Sequence, residues 1–165
     1  MSAPAGFPLT WHWRGDPVPP GPAVVFDVDG VLADASGRQH YLAGMRRDWD
    51  AFFEAAGADP LIPEVARLLE LLDPGLAVVL LTARPARIRQ DTLAWLQRFG
   101  LRYDLLIMRS GGDYLQAVEF KRKEARALKA YGFVLQLALE DDRRNLEMFE
   151  EEGVPCLYVH SGYYG

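Results

Sequence analysis

AVVFDVDGVLAD, residues 23–34, decides how the rest of the chain is read. AVVFDV is short, apolar and rich in β-branched residues, so it predicts a buried strand. It ends by presenting Asp27 and Asp29, and Gly30 then turns the backbone away. Residues i and i+2 of a strand share a face, so the two carboxylates address one volume. Two acids that close repel unless a cation joins them, and a hard divalent cation prefers such oxygen ligands. A turn or helix cap after the strand is the plainer reading, and D-x-D-G alone does not decide between them.

The segments that follow repeat the pattern. Apolar positions fall at helical spacing in 41–57 and 63–73, LAVVLLT (76–82) reads as a strand, and 86–99 as an amphipathic helix stopped by Gly100. DLLIM (104–108), FVLQLAL (133–139) and PCLYV (155–159) read as further strands, separated by helices over about 118–131 and 143–152. Strands alternating with helices predict an α/β fold, a three-layer α/β/α Rossmann-like parallel sheet covered on both faces. Ligands of such sheets bind outside the carboxyl ends of the strands.

The polar groups collect there. The second strand ends LLTARP, placing Thr82 and Arg84 at the rim. Arg109 follows the third strand, and Glu140, Asp141 and Asp142 follow the fourth. Lys121, in FKRKEAR, opens the helix before that fourth strand and can reach back to hold a phosphate or neutralise an aspartate. A solvated helix face accounts better for Arg122, Lys123 and Arg126.

Composition bounds the alternatives. The chain has 165 residues, 50% of them hydrophobic, and a net charge of −5. These values fit one domain with a real core and no global basic field for nucleic acid or anionic membrane. The single cysteine, Cys156, cannot form an internal disulfide, and His12, His40 and His160 lack ligand spacing for zinc. No apolar run approaches membrane-spanning length and no signal pattern opens the chain, so a cytoplasmic location without membrane association is expected. Residues 1–22, with six prolines, read as an irregular N-terminal arm whose Trp11 and Trp13 pack on the domain; residues 23–165 read as a single domain.

FDVDGV, the Thr of LLTARP, the Lys of EFKRK and the acidic LEDD resemble, in order, the four motifs of the haloacid dehalogenase (HAD) superfamily of phosphotransferases. The resemblance implies a HAD-like phosphatase. Asp27 would be the nucleophile that becomes an aspartyl-phosphate, and Asp29 the general acid and base. Thr82 and Lys121 would hold phosphoryl oxygens. Asp27, the Asp29 carbonyl and Asp141 would bind Mg²⁺, with Glu140 beside them, and Gly30, Arg84 and Arg109 would contact the substrate phosphate. A closer resemblance is to the 3′-phosphatase domain of phage-type polynucleotide kinase-phosphatases. It rests on Arg84, Arg109, Gly112-Asp113, Lys121 and the end of the chain, EMFEEEGVPCLYVHSG. Glu140 stands where that family has an aspartate, Val31 where Thr is more frequent, and Leu115 where an arginine is expected. No P-loop is present, so kinase activity is not expected.

Superfamily members often carry a cap over the site. The 53 residues from Asp29 to Thr82 and the 39 from Thr82 to Lys121 leave no room for a full one. Residues 35–57 read as a small lid, with Arg38, Tyr41, Arg46, Arg47 and Trp49 able to touch base or phosphate. An open site suits a nucleic-acid end or a nucleotide. The readings are a Mg²⁺-dependent phosphomonoesterase on 3′-phosphate ends or nucleotides, a small-molecule nucleotidase, and a receiver-like binding module. The acid-free end of the third strand, Ile107-Met108-Arg109, counts against the last.

Overall fold

Alternate residues of each central strand enter different cores, as the pleat requires. The computed structural model describes residues 6–164. Its strands are β1 (Trp11–Trp13), β2 (Pro22–Phe26), β3 (Ala77–Pro85), β4 (Leu105–Arg109), β5 (Val134–Glu140) and β6 (Cys156–Tyr158). Its α-helices are α1 (Trp49–Glu54), α2 (Pro63–Leu71), α3 (Arg89–Arg98), α4 (Ala117–Ala130) and α5 (Arg143–Glu151). Val24, Phe26, Val78, Leu80, Leu106 and Met108 pack with α2 and α3 through Leu69, Trp95 and Leu96. Ala23, Val25, Val79, Leu81, Leu105 and Ile107 pack with α4 and α5 through Phe120, Leu128, Met148 and Phe149. The result is the three-layer α/β fold.

The sheet order is β1-β4-β3-β2-β5-β6. From β4 to β6 every pairing is parallel. From β2 the chain moves outward through β3 and β4, then crosses back through α4 to lay β5 on the other side of β2. Strand order therefore reverses between β2 and β5, and the crevice that such a reversal leaves lies at their carboxyl ends.

Two expectations need correction. The sheet is mixed rather than wholly parallel, because Trp11–Trp13 of the supposedly irregular arm pairs antiparallel with β4. Burial holds it there. The Trp11 indole donates to the buried Glu124 carboxylate at 2.9 Å, and Phe7, Trp11, Trp13, Tyr131 and Phe133 form one aromatic cluster. Residues 1–5 of the arm lie outside the described residues. The helix expected over 41–57 is broken as well. A 3₁₀ turn spans Ser36–Leu42, Gly44 adopts φ +87°, and α1 begins only at Trp49, where the Asp48 carboxylate accepts from the Ala51 N–H at 3.0 Å. No helix among the described residues is long and apolar enough to cross a membrane.

Candidate active site

The loop after β2 is tied back on itself. The Asp27 N–H donates to the Leu139 carbonyl at 3.1 Å, which continues the β2–β5 ladder by one residue. The Val28 carbonyl then accepts from Leu32 and Ala33, both at 2.9 Å, while Val28, Val31, Leu32 and Ala33 are buried. Gly30 is required at this turn for two reasons. Its φ is +80°, and a Cβ there would overlap Oδ2 of Asp141. The absent side chain is what lets the β2 loop and the end of β5 meet.

Asp27, Glu140 and Asp141 are all buried, and each offers an oxygen within 4.8 Å of the others. The Lys121 ammonium, buried with them, lies 3.0 Å from Oδ1 of Asp27 and 2.5 Å from Oε1 of Glu140. The Asn145 amide donates to Oε2 of Glu140 at 3.3 Å. Both oxygens of Asp141 are buried without a hydrogen-bond partner. Burial, reinforced by the Asp27 carboxylate, pushes the Asp141 carboxyl up to about 8. Burial and Asp27 also push Glu140 well above the usual carboxylate range. Burial works against the charge on Lys121, but Asp27 and Glu140 outweigh it and hold the ammonium above its ordinary value.

Three carboxylates around one ammonium leave unneutralised charge in a low-dielectric place. The free Asp141 oxygens, beside an all-oxygen donor set, fit a hard divalent cation. Glu140 is within the trio, but its oxygens are already engaged by Lys121 and Asn145.

Asp29 stands apart from this group. Its carboxylate receives Nη2 of Arg38 and Nη2 of Arg84, each at 2.6 Å, so only its carbonyl is left for the metal role the resemblance implies. Burial would raise the Asp29 carboxyl; Arg84 and Arg38 overcome it and hold the group at about 2. Arg84 also donates to the Thr92 hydroxyl at 3.1 Å. With its donors directed at Asp29 and Thr92, it is not open to a phosphate. Arg38, read from sequence as a lid contact, is 2% exposed and points inward. It donates to Asp59 through Nε at 2.8 Å and Nη2 at 2.6 Å, and to the Phe52 carbonyl at 3.1 Å.

Thr82 is buried, its hydroxyl accepting from the Arg84 N–H at 3.1 Å. Arg109, opposite Pro85 in the sheet register, lies over the Phe120 ring at 5.5 Å with its buried Nε unpaired. It makes no ion pair with the acids. Sequence reasoning did not single out Asp59, Thr92 or Asn145. Asn145, in the first turn after the acidic run, was the one with a positional signal.

A family model for the polynucleotide kinase PNKP phosphatase domain matches residues 21–164. The chain belongs to that family. This PNKP-type phosphatase domain is similar to one chain of the solved Pnkp1/Rnl/Hen1 RNA repair complex, at 27% identity and a TM-score of 0.73, covering 92% of this chain and 46% of that one. A second structure of the Pnkp1/Rnl/Hen1 complex matches at 30% identity and TM-score 0.71, over 86% of this chain and again 46% of that one. The domain therefore spans about half the length of those relatives. A haloacid dehalogenase-like hydrolase from Streptococcus pneumoniae shares the fold, at 15% identity and TM-score 0.55, with 85% of this chain and 87% of that one covered. A phosphatase of the HAD type is thus the enzyme class, and the receiver-like reading is set aside.

Proposed function

We propose that this domain is a Mg²⁺-dependent phosphomonoesterase that forms an aspartyl-phosphate on Asp27 and acts on 3′-phosphate ends of nucleic acid. The observation that carries the mechanism is the pairing of Asp27 with buried Lys121 beside the unpartnered Asp141 carboxylate. The similarity to chains of an RNA repair complex supports the substrate class.

Asp27 attacks phosphorus, and the bond from phosphorus to the leaving oxygen breaks. Asp29 gives that oxygen a proton, then takes one from the water that cleaves the aspartyl-phosphate and releases inorganic phosphate. Asp29 rests ionised between its two arginines, ready for the second step, so the proton for the first is taken up with the substrate. Lys121 and Thr82 hold phosphoryl oxygens, with Lys121 oriented by Glu140 and Asn145. Asp27, Asp141 and the Asp29 carbonyl would hold Mg²⁺, which offsets the repulsion between the phosphate dianion and the Asp27 carboxylate. Arg109 and the rim around Gly30 are left to contact the phosphate or the strand behind it. Residues 35–57 form a small lid, anchored by Arg38 and by an Arg87–Asp50 ion pair at 2.9 Å.

The test is phosphate release with Mg²⁺ from a 3′-phosphorylated oligonucleotide, its 5′-phosphorylated twin, and nucleoside 3′- and 5′-monophosphates. Faster turnover of the 3′-phosphorylated oligonucleotide is expected. Preference for a mononucleotide makes the protein a nucleotidase instead. Asp27→Asn, nearly the same size, is expected to lose at least about a thousandfold in kcat while remaining folded; retained turnover overturns the nucleophile assignment.

A further inference from the structure

The segment following β6 returns to the catalytic acids. The Ser161 Cβ lies 3.1 Å from where a side chain at Gly30 would start, on the same side as Asp141. The Tyr163 phenol donates to Oδ1 of Asp34, at the end of the loop that carries Asp27 and Asp29, at 3.3 Å. The Tyr164 ring lies 5.7 Å from the Arg144 guanidinium, which in turn donates to Oδ2 of Asp142 at 2.9 Å. Tyr163 is therefore tied to one wall of the crevice and Tyr164 to the other.

The two tyrosines differ in what they leave open. Tyr163 is half-buried, whereas Tyr164 is 48% exposed. Its guanidinium brace, Arg144, is held by Asp142, the residue next to Asp141, which sets the ring beside the carboxyl end of β5. Tyr114 and Met45 are more exposed, but none of their described contacts leads to the acids. An exposed aromatic ring braced by a guanidinium at the mouth of a phosphate site offers a base a stacking surface with no demand on sequence. The chemistry proposed above gives this ring no other task.

We propose that Tyr164 is a specificity-determining residue of the site, stacking against the base of the nucleoside whose 3′-phosphate meets Asp27. This assignment rests on the phosphatase reading above. It makes the terminal base, and not only the phosphate, part of what is recognised. The ring rather than the hydroxyl is the active feature, because stacking uses the aromatic face.

The experiment compares two 3′-phosphorylated oligonucleotides, one ending in an ordinary nucleotide and the other in an abasic sugar. Both are tested with the wild type, Tyr164→Ala, Tyr164→Leu and Tyr164→Phe. The wild type is expected to favour the base-bearing end by about tenfold in kcat/KM, mostly through KM. Tyr164→Ala and Tyr164→Leu should reduce that ratio below about threefold, while Tyr164→Phe keeps it. An unchanged ratio in the Ala or Leu variant overturns the proposal, as does an active wild type indifferent to the base. A wild type that releases phosphate from neither oligonucleotide overturns the functional reading itself, which separates the two failures. Tyr164→Leu keeps apolar bulk, so it decides the matter even where Tyr164→Ala does not fold.

Discussion

Arg38 joins Asp29 to Asp59: one guanidinium nitrogen, Nη2, lies 2.6 Å from a carboxylate oxygen of each. Arg38 and Asp59 are 2% and 5% exposed, so neither partner is relieved by water if the other is removed. Arg38→Met is expected to cost about 3–5 kcal/mol, because it leaves buried Asp59 with only the Arg84 guanidinium, 3.5 Å away and already engaged by Asp29. Urea unfolding of Arg38→Met/Asp59→Leu should then recover part of that loss. A double variant no more stable than the single one would show that Arg38 acts through packing on the Phe52 ring, 4.4 Å from its Cζ, instead.

Asp141 gives a pH dependence with a definite sign. Its carboxyl is raised to about 8 without a cation, above an unfolded value near 4. The folded state therefore binds more protons than the unfolded state between those values, and this group's contribution to stability falls as pH rises from about 4 to 8. Mg²⁺ competes with the proton, so its stabilising shift in melting temperature should be larger at pH 8 than at pH 5.5. Thermal melts with and without Mg²⁺ at both values test this.

Asp141→Asn replaces a carboxyl whose ionisation burial and Asp27 already oppose with a neutral group of nearly the same size. Without Mg²⁺ the variant should be at least as stable as the wild type, by up to about 1 kcal/mol, yet have almost no phosphatase activity. Its melting temperature should no longer respond to Mg²⁺. A Mg²⁺ response equal to that of the wild type would remove Asp141 from the ligand set.

Gly30→Ala brings two penalties together. The backbone sits at φ +80°, where a Cβ costs about 1–2 kcal/mol, and the new methyl displaces Asp141. Stability and activity should both fall, with the concentration of Mg²⁺ needed for half-maximal activity rising. A control at Gly44, φ +87° with nothing near its Cβ, should lose stability only.

Trp11→Phe tests the antiparallel edge strand. It keeps the aromatic bulk but strips the buried Glu124 carboxylate of its 2.9 Å donor, at an expected cost of about 1–3 kcal/mol. Adding Glu124→Gln should return part of this in equilibrium unfolding.

How much of this was legible in the sequence follows from the range of the interactions. Asp27, Lys121 and Asp141 stand out because strand–helix alternation places them at one rim, and that alternation is a local property. Arg38 was visible as a basic residue, but its inward turn depends on Asp59, 21 residues away, and on Asp29 across a loop. No periodicity marks a 3₁₀ turn of seven residues. Strand β1 has three residues among prolines and is held by partners more than ninety positions on, so its pattern is too short to read. Arg84 was placed at the correct strand end, but its partners there, Asp29 and Thr92, were not foreseen, since nothing local says whether a guanidinium faces a ligand or a carboxylate.

The reversal of strand order between β2 and β5 has a consequence for the newly made chain. Asp27 and Asp141 each directly follow one of two neighbouring strands, β2 and β5, but lie more than a hundred residues apart in sequence, with β3, β4 and α4 between them. The cluster of Asp27, Lys121, Glu140 and Asp141 therefore comes together only when the long crossover has closed, late in folding by its separation. A partly synthesised chain that ends before α4 holds Asp27 without Lys121, Glu140 and Asp141. On the mechanism proposed above, such a fragment is inert, and poses no threat to the phosphate esters around it.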